Sequence, residues 1–193
     1  MALEQRIYHA LIVSRSEKFK QEIGSLLTME QFRNDYADCA GEARRRLLER
    51  SYDFIIVNAP LSDEFGSRLS MDAGMSAGLI AVMFVTSDVY DEIVHKAAPH
   101  GVFIVRMPAS RSVVTQSLSL LISARERLRA VENKAGKAES KLDEIRVVNK
   151  AKWFLIDNED MSENDAHKVI EKAAMDAGIT KKQAAQMIIE RYS

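Results

Sequence analysis

Residues able to do chemistry fall into two sets. One is four short polar stretches, each following an apolar run: Ser14-Arg15, Asn58-Ala59-Pro60, Thr86-Ser87 and Arg106-Met107-Pro108. The other is a group of lysines toward the C-terminus: Lys150, Lys152, Lys168, Lys172, Lys181 and Lys182. Neither set makes a catalytic constellation. No nucleophile is spaced against a base, no glycine-rich loop can cradle a phosphate, and no metal-ligand spacing occurs. No enzymatic role and no cofactor or metal is expected. The lysines suit a different task, the neutralisation of a phosphate backbone. Lys181 and Lys182 fall in the first turn of a helical pattern, where positive charge opposes the macrodipole at a cost of roughly 0.3 kcal/mol or more each. Lys168 and Lys172 form a like-charge i,i+4 pair. A bound polyanion would relieve both arrangements; ordinary solvated surface lysines are the other reading.

The composition limits the rest. The chain has 193 residues, 47% hydrophobic and 28% charged, enough for one ordinary domain or two small ones with a real core. Its net charge of -1 excludes a generic polycation. The charge is uneven: residues 1–124 carry -2, residues 125–152 carry +4 and residues 153–193 carry -3. The single Cys39 excludes an intramolecular disulfide framework and fits a reducing compartment. The apolar runs are too short to cross a bilayer, and the first residues lack a signal-peptide core, so a cytoplasmic protein without a membrane partner is expected.

Elements must hold these residues in place. Ile7–Val13, Phe54–Val57, Leu79–Val85 and Val102–Val105 are continuous apolar runs, as in parallel strands covered on both faces. Phe32–Asp38 is a weaker edge-strand candidate. Helical patterns lie between them: one after Ser14-Arg15-Ser16-Glu17, with Ser14 as the cap, one over Gly41–Arg50 and one over Asp88–Ala98. The alternation predicts an α/β fold, a doubly wound five-stranded parallel sheet. In such a sheet the strand ends carry the ligand site, and all four polar stretches sit there.

The chain to about residue 124 resembles the receiver domains of bacterial response regulators, which are flavodoxin-like. That family has an acidic pair after the first strand, a phosphoacceptor Asp after the third, Ser/Thr after the fourth and Lys-Pro after the fifth. Here Thr86 and Pro108 match. Ser14 and Arg15 replace the acidic pair, Asn58 takes the phosphoacceptor position, and Met107 replaces the Lys, unless Arg106 serves instead through a one-residue slip. Aspartyl phosphorylation needs a carboxylate nucleophile and a hard cation held by oxygens. The resemblance therefore implies a pseudo-receiver, residues 1–124, without the phosphoryl chemistry.

From Ser112 to Lys152 there is no Pro, and Gly136 is the only Gly. Val114, Ser117, Leu121, Ala124, Leu128, Val131, Ala135, Ala138, Leu142, Ile145 and Asn149 alternate spacings of three and four, a heptad seam. Residues 125–141 are read as a coiled-coil linker helix that pairs in a parallel homodimer, or else packs back on its own receiver.

Three helices are expected in the tail. The long helix runs on through Trp153 to Ile156; a second starts at Ser162, with Ala166, Val169, Ile170, Ala173 and Ala177 on one face and Gly178 as its stop. A third starts at Thr180 with a capping box to Gln183. Val148-Asn-Lys-Ala151-Lys152-Trp-Phe-Leu155-Ile156, Ser162-Glu163, Ala166-His167, Ile170, Ala174-Met175, Ala185 and Ile188 resemble the ANTAR domain, over residues 142–193. Trp153 stands where that family usually has Gly, and is read first as a packing residue and second as a stacking surface for a base; His167 is read the same way.

The ANTAR resemblance implies an RNA-binding transcription antitermination regulator. As a dimer it would bind hairpin or two-stem-loop RNA and disfavour a terminator, the six lysines touching RNA. The alternative is a protein-interaction adaptor whose pseudo-receiver docks a partner and whose RNA binding is lost.

Overall fold

A computed structural model describes residues 6–27 and 31–192. Met1–Gln5, part of the N-terminal stretch read as lacking a signal-peptide core, and Ser193, the last residue of the ANTAR resemblance, lie outside the described residues. The chain divides into two compact units, Met1–Arg129 and Ala130–Ser193.

The first unit holds β1 (Tyr8–Val13), α1 (Glu17–Leu26), β2 (Phe32–Ala37), α2 (Ala40–Glu49) and β3 (Phe54–Asn58). It continues with α3 (Ser67–Gly74), β4 (Ile80–Thr86), α4 (Tyr90–Ala97) and β5 (Val102–Met107). All five strands are parallel in the order β2-β1-β3-β4-β5. The edge strand expected over Phe32–Asp38 is β2, Phe32–Ala37, and lies at an edge of the sheet. Side chains alternate between two buried layers, which is why the strands read as unbroken apolar runs. Leu11, Val13, Ile55, Val57, Ala81 and Met83 face a core closed by Ala40, Ala43, Leu69 and Ile93. Ala10, Ile12, Phe54, Ile56, Val82 and Phe84 face Phe19, Ile23, Val114, Leu118 and Leu121.

Two local expectations are corrected. The cap of α1 is Ser16, not Ser14: the Ser16 hydroxyl accepts from the Phe19 amide at 3.3 Å. Ser14 is instead fully buried at the strand end, its Oγ accepting from the Ser16 amide at 3.0 Å. The helix α3 was not expected at all. It has eight residues and starts at Gly66, which has φ 99° and offers no side-chain cap, so it carries none of the usual start signals.

One helix, α5 (Arg111–Glu159), runs from the first unit into the second. The second unit adds α6 (Glu163–Ala177) and α7 (Lys181–Arg191). Its core joins Val148, Ala151 and Leu155 of α5 to Ala166, Ile170 and Ala174 of α6 and to Ala184 and Ala185 of α7. The small residues let three helices approach closely. Asp160 (φ 51°) follows α5, Ser162 caps α6 by accepting from the Asp165 amide at 3.2 Å, and Gly178 (φ 64°) ends it. Thr180 and Gln183 form the expected capping box on α7.

Candidate nucleic-acid interface

The heptad seam along α5 has two fates. Val114 and Leu121 are buried in the receiver-like core, so the first part packs within its own unit. Farther on, Leu128, Val131, Leu142 and Ile145 are exposed, Val131 by 59% and Leu142 by 58%. Every residue from 130 to 143 is exposed, which leaves the apolar seam of this stretch without a cover in the single chain.

The six lysines are distributed over all three helices of the second unit. Most already have carboxylate partners. Lys152 reaches Glu163 at 2.7 Å and Lys168 reaches Asp165 at 3.6 Å. Lys181 pairs with Glu171, and Lys182 with Asp143. These partners hold the Glu163, Glu171 and Asp143 carboxyls below their ordinary range, chiefly through the hydrogen bond each accepts from its lysine. Asp165 is lowered first by the Ser162 hydroxyl and then by Lys168. The unfavourable charges at the start of α7 are thus relieved by intrachain carboxylates. Lys172 is exposed with no ion-pair partner among the described residues, and Lys150 lies over the Phe154 ring at 5.9 Å.

Lys150 lines a surface groove of this unit. Arg146, Asn149, Lys150, Trp153, Phe154 and Asp157 line an open groove of about 550 Å³ on α5. Trp153 forms one wall and is 71% exposed. The first reading of Trp153, as a packing residue, is therefore wrong; its neighbours on the core side are Ala151 and Leu155. A second, smaller groove of about 210 Å³ lies between Trp153 and Asn149, Lys152, Ile156 and Glu163. Phe154 is braced by the parallel ring of Tyr192, 6.2 Å away. His167 is only half-buried, with Nε2 3.3 Å from Glu171. Arg146 escaped the sequence reading and Asn149 entered it only as a seam position, although Arg146, Lys150 and Trp153 sit at i, i+4 and i+7 on one helical face.

In the first unit, the polar strand ends gather as expected, but their side chains satisfy one another. The Asn58 amide donates to Ser14 Oγ at 3.0 Å. Arg15 is exposed, and Arg106 is committed to the Tyr90 ring at 4.1 Å and to Asp91 at 3.2 Å. Ser87 donates to the Met107 carbonyl at 3.0 Å. Asp38, just past β2, is paired with the buried Lys20, and Asp63 accepts from the Ala40 and Gly41 amides at 2.8 Å each. Ser14 and Asn58 do not fit the divalent cation that receiver domains hold, because a hydroxyl and an amide stand where carboxylates are needed.

A further cluster ties the long helix, about four to five turns from its start, to the sheet. Asp53 Oδ2 accepts from the His9 amide at 3.0 Å, and its Oδ1 from Arg125 at 3.2 Å and Arg129 at 3.3 Å. Glu126 beside them binds Arg6 and the Tyr8 hydroxyl. Asp53 and Arg125 are both buried. A lone Asp before an apolar strand gives no sequence signal for this clamp, because its arginine partners lie more than 70 residues away.

Comparison with known proteins agrees with this geometry. Residues 136–189 match the ANTAR domain. A transcriptional regulatory protein of Mycobacterium tuberculosis, PdtaR, is 27% identical over 117 residues, covering 60% of this chain and 57% of that protein. The matched stretch thus spans little more than half the length of that relative. Among solved structures, the signal receiver domain of an HD domain-containing protein from Pseudomonas fluorescens Pf-5 superposes with a TM-score of 0.58 at 20% identity, covering 67% of this chain and 96% of that one. A CheY-like receiver domain from Methanospirillum hungatei JF-1 superposes at 0.55 with 15% identity, over 63% of this chain and 98% of that one. The first unit thus has the fold of a receiver domain, and residues 136–189 match the ANTAR domain, so the chain joins a receiver-like domain to an ANTAR domain. Among the described residues, no helix is long and apolar enough to cross a membrane.

Proposed function

We propose that this protein is a dimeric, phosphorylation-independent RNA-binding antitermination regulator that holds hairpin RNA in a form competing with a terminator. The observation that carries the reading is the ANTAR match over residues 136–189, on a unit whose α5 presents Arg146 and Lys150 beside an exposed Trp153. Sequence-specific proteins read RNA mostly in loops and unpaired segments, where bases can be splayed out. The exposed seam at Leu128, Val131, Leu142 and Ile145 supports pairing of α5 with a second copy, since such a stripe is costly to leave in water. Pairing brings two RNA-binding units onto one RNA, and linkage of two weak sites raises avidity without new contacts.

The neutral Ser14–Asn58 hydrogen bond supports a receiver that is not an aspartyl phosphate switch. An amide has no carboxylate oxygen to attack a phosphoryl donor, and the neighbouring Arg15 disfavours a bound cation. Of the six lysines, Lys150 and Lys172 are the ones free to meet phosphate at once. Lys152, Lys168, Lys181 and Lys182 must first exchange a carboxylate for it. A localised patch, rather than the whole acidic tail, is the RNA surface, and the receiver-like unit remains available to a protein partner. A multi-round transcription assay on a terminator template tests the function. Added protein is expected to raise read-through, and unchanged read-through at saturating protein contradicts it; capture of protein partners with no RNA points to the adaptor instead.

A further inference from the structure

From the exposed indole and its cationic neighbours, we infer that Trp153 is a base-stacking platform that takes one unpaired nucleobase of the RNA, flanked by Arg146 and Lys150 on the phosphates. The inference rests on the RNA-binding reading above and deepens it. Trp153 is a large apolar side chain left 71% exposed on a helix whose neighbouring Ala151 and Leu155 are buried. Solvent exposure of so large an indole is costly without an occupant, and Trp153 lines two grooves from which the ring can be approached. Cations flank one of these grooves: Arg146 and Lys150 lie one turn apart on the same face, and neither has an ion pair with a carboxylate among the described residues. An aromatic face set beside guanidinium and ammonium groups is the combination that binds single-stranded nucleic acid, the ring taking the base and the cations its backbone. Asn149 and Asp157 complete the groove with an amide and a carboxylate. A carboxylate accepts from exocyclic amines and an amide both donates and accepts, so these two groups can read the edge of the stacked base.

A second copy of the chain is the competing occupant. Trp153 lies one position beyond the register that Leu142, Ile145 and Asn149 continue, so a paired seam passes beside the indole rather than over it. Charge argues the same way: two copies would set Arg146 and Lys150 against their own counterparts, whereas RNA supplies the opposite sign.

The chain has one tryptophan, so its own fluorescence reports on this position alone. Full-length protein is titrated with a pool of stem-loops of randomised loop sequence, and in parallel with the same stem as a blunt duplex, while a mobility shift records binding independently. Quenching by the stem-loops and little by the duplex is expected. Trp153→Leu should weaken stem-loop binding by about tenfold, and Trp153→Phe should restore much of it. Stem-loop binding with unchanged fluorescence and an unaffected Trp153→Leu variant overturns the stacking role and leaves the RNA reading intact. Absence of any shift overturns both. A fluorescence change that follows protein concentration without RNA assigns the indole to a contact between copies and overturns the proposal as well.

Discussion

At the scale of single residues, charge pairing governs what the ANTAR unit can offer to RNA. Glu171 and Asp143 hold Lys181 and Lys182, two of the positions first read as RNA contacts. Removing these carboxylates with Glu171→Gln and Asp143→Asn frees the lysines and is expected to tighten RNA binding by roughly threefold, the effect of a surface ion pair. Lys181→Ala with Lys182→Ala should weaken it. Filter binding at fixed salt measures both, and equal affinity for all variants would remove α7 from the interface. The spacing of the lysines was plain in the sequence, but their partners were not, since Asp143 lies on another helix nearly forty residues away. In the receiver-like unit, Asn58→Asp restores a phosphoacceptor carboxylate but not the acidic pair replaced by Ser14 and Arg15. Incubation with acetyl phosphate followed by intact-mass measurement should therefore show no phosphoryl adduct on the variant or the parent. An adduct on the parent would contradict the neutral-site reading.

Elements were legible wherever periodicity was strong, and illegible where a short segment had no cap or a contact was distant. Four strands followed from their continuous apolar runs, and the polar edge strand β2 from a weaker pattern. The eight-residue α3 did not, because Gly66 supplies its start by backbone conformation instead of a capping side chain. For α5 the repeat of apolar positions was correct, yet one pattern served two purposes: Val114 and Leu121 feed the receiver-like core while Leu142 and Ile145 stay exposed. Periodicity alone cannot say where the change comes. Leu142→Ser with Ile145→Ser should convert a dimer into a monomer in sedimentation without loss of helical circular dichroism, because both residues are exposed in the single chain. Persistence of the dimer would place its contact elsewhere. Gly136, with no atom within 4 Å of an added Cβ, can become Ala at no steric cost, which should stabilise the helix by about 1 kcal/mol. In the part of α5 that packs on the sheet, Asp53→Ala removes the buried carboxylate that Arg125 and Arg129 share and should cost about 3 kcal/mol or more in urea denaturation.

For the whole molecule, near neutrality conceals a division of labour. The net charge of -1 comes from a cationic stretch at residues 125–152 between two acidic regions, and the groove at Arg146 and Lys150 lies in that stretch. The proposed RNA surface is thus small and structured, and its affinity for RNA is expected to fall as salt rises because phosphate contacts release counterions. The paired carboxylates also set an acid limit. Glu163 and Glu171 are held below their ordinary 4.5, and Asp143 below 3.8. Their folded values being depressed, the stability they lend is complete above the ordinary values and lost as pH falls through the lowered ones. The receiver-like fold and the ANTAR unit were both legible as resemblances, whereas the exposure of Trp153 needed coordinates. RNA cross-linked to the protein in cells and sequenced tests the central claim most directly: recovered segments should be enriched in stem-loops overlapping transcription terminators, and recovery indistinguishable from that of cells lacking the protein would contradict it.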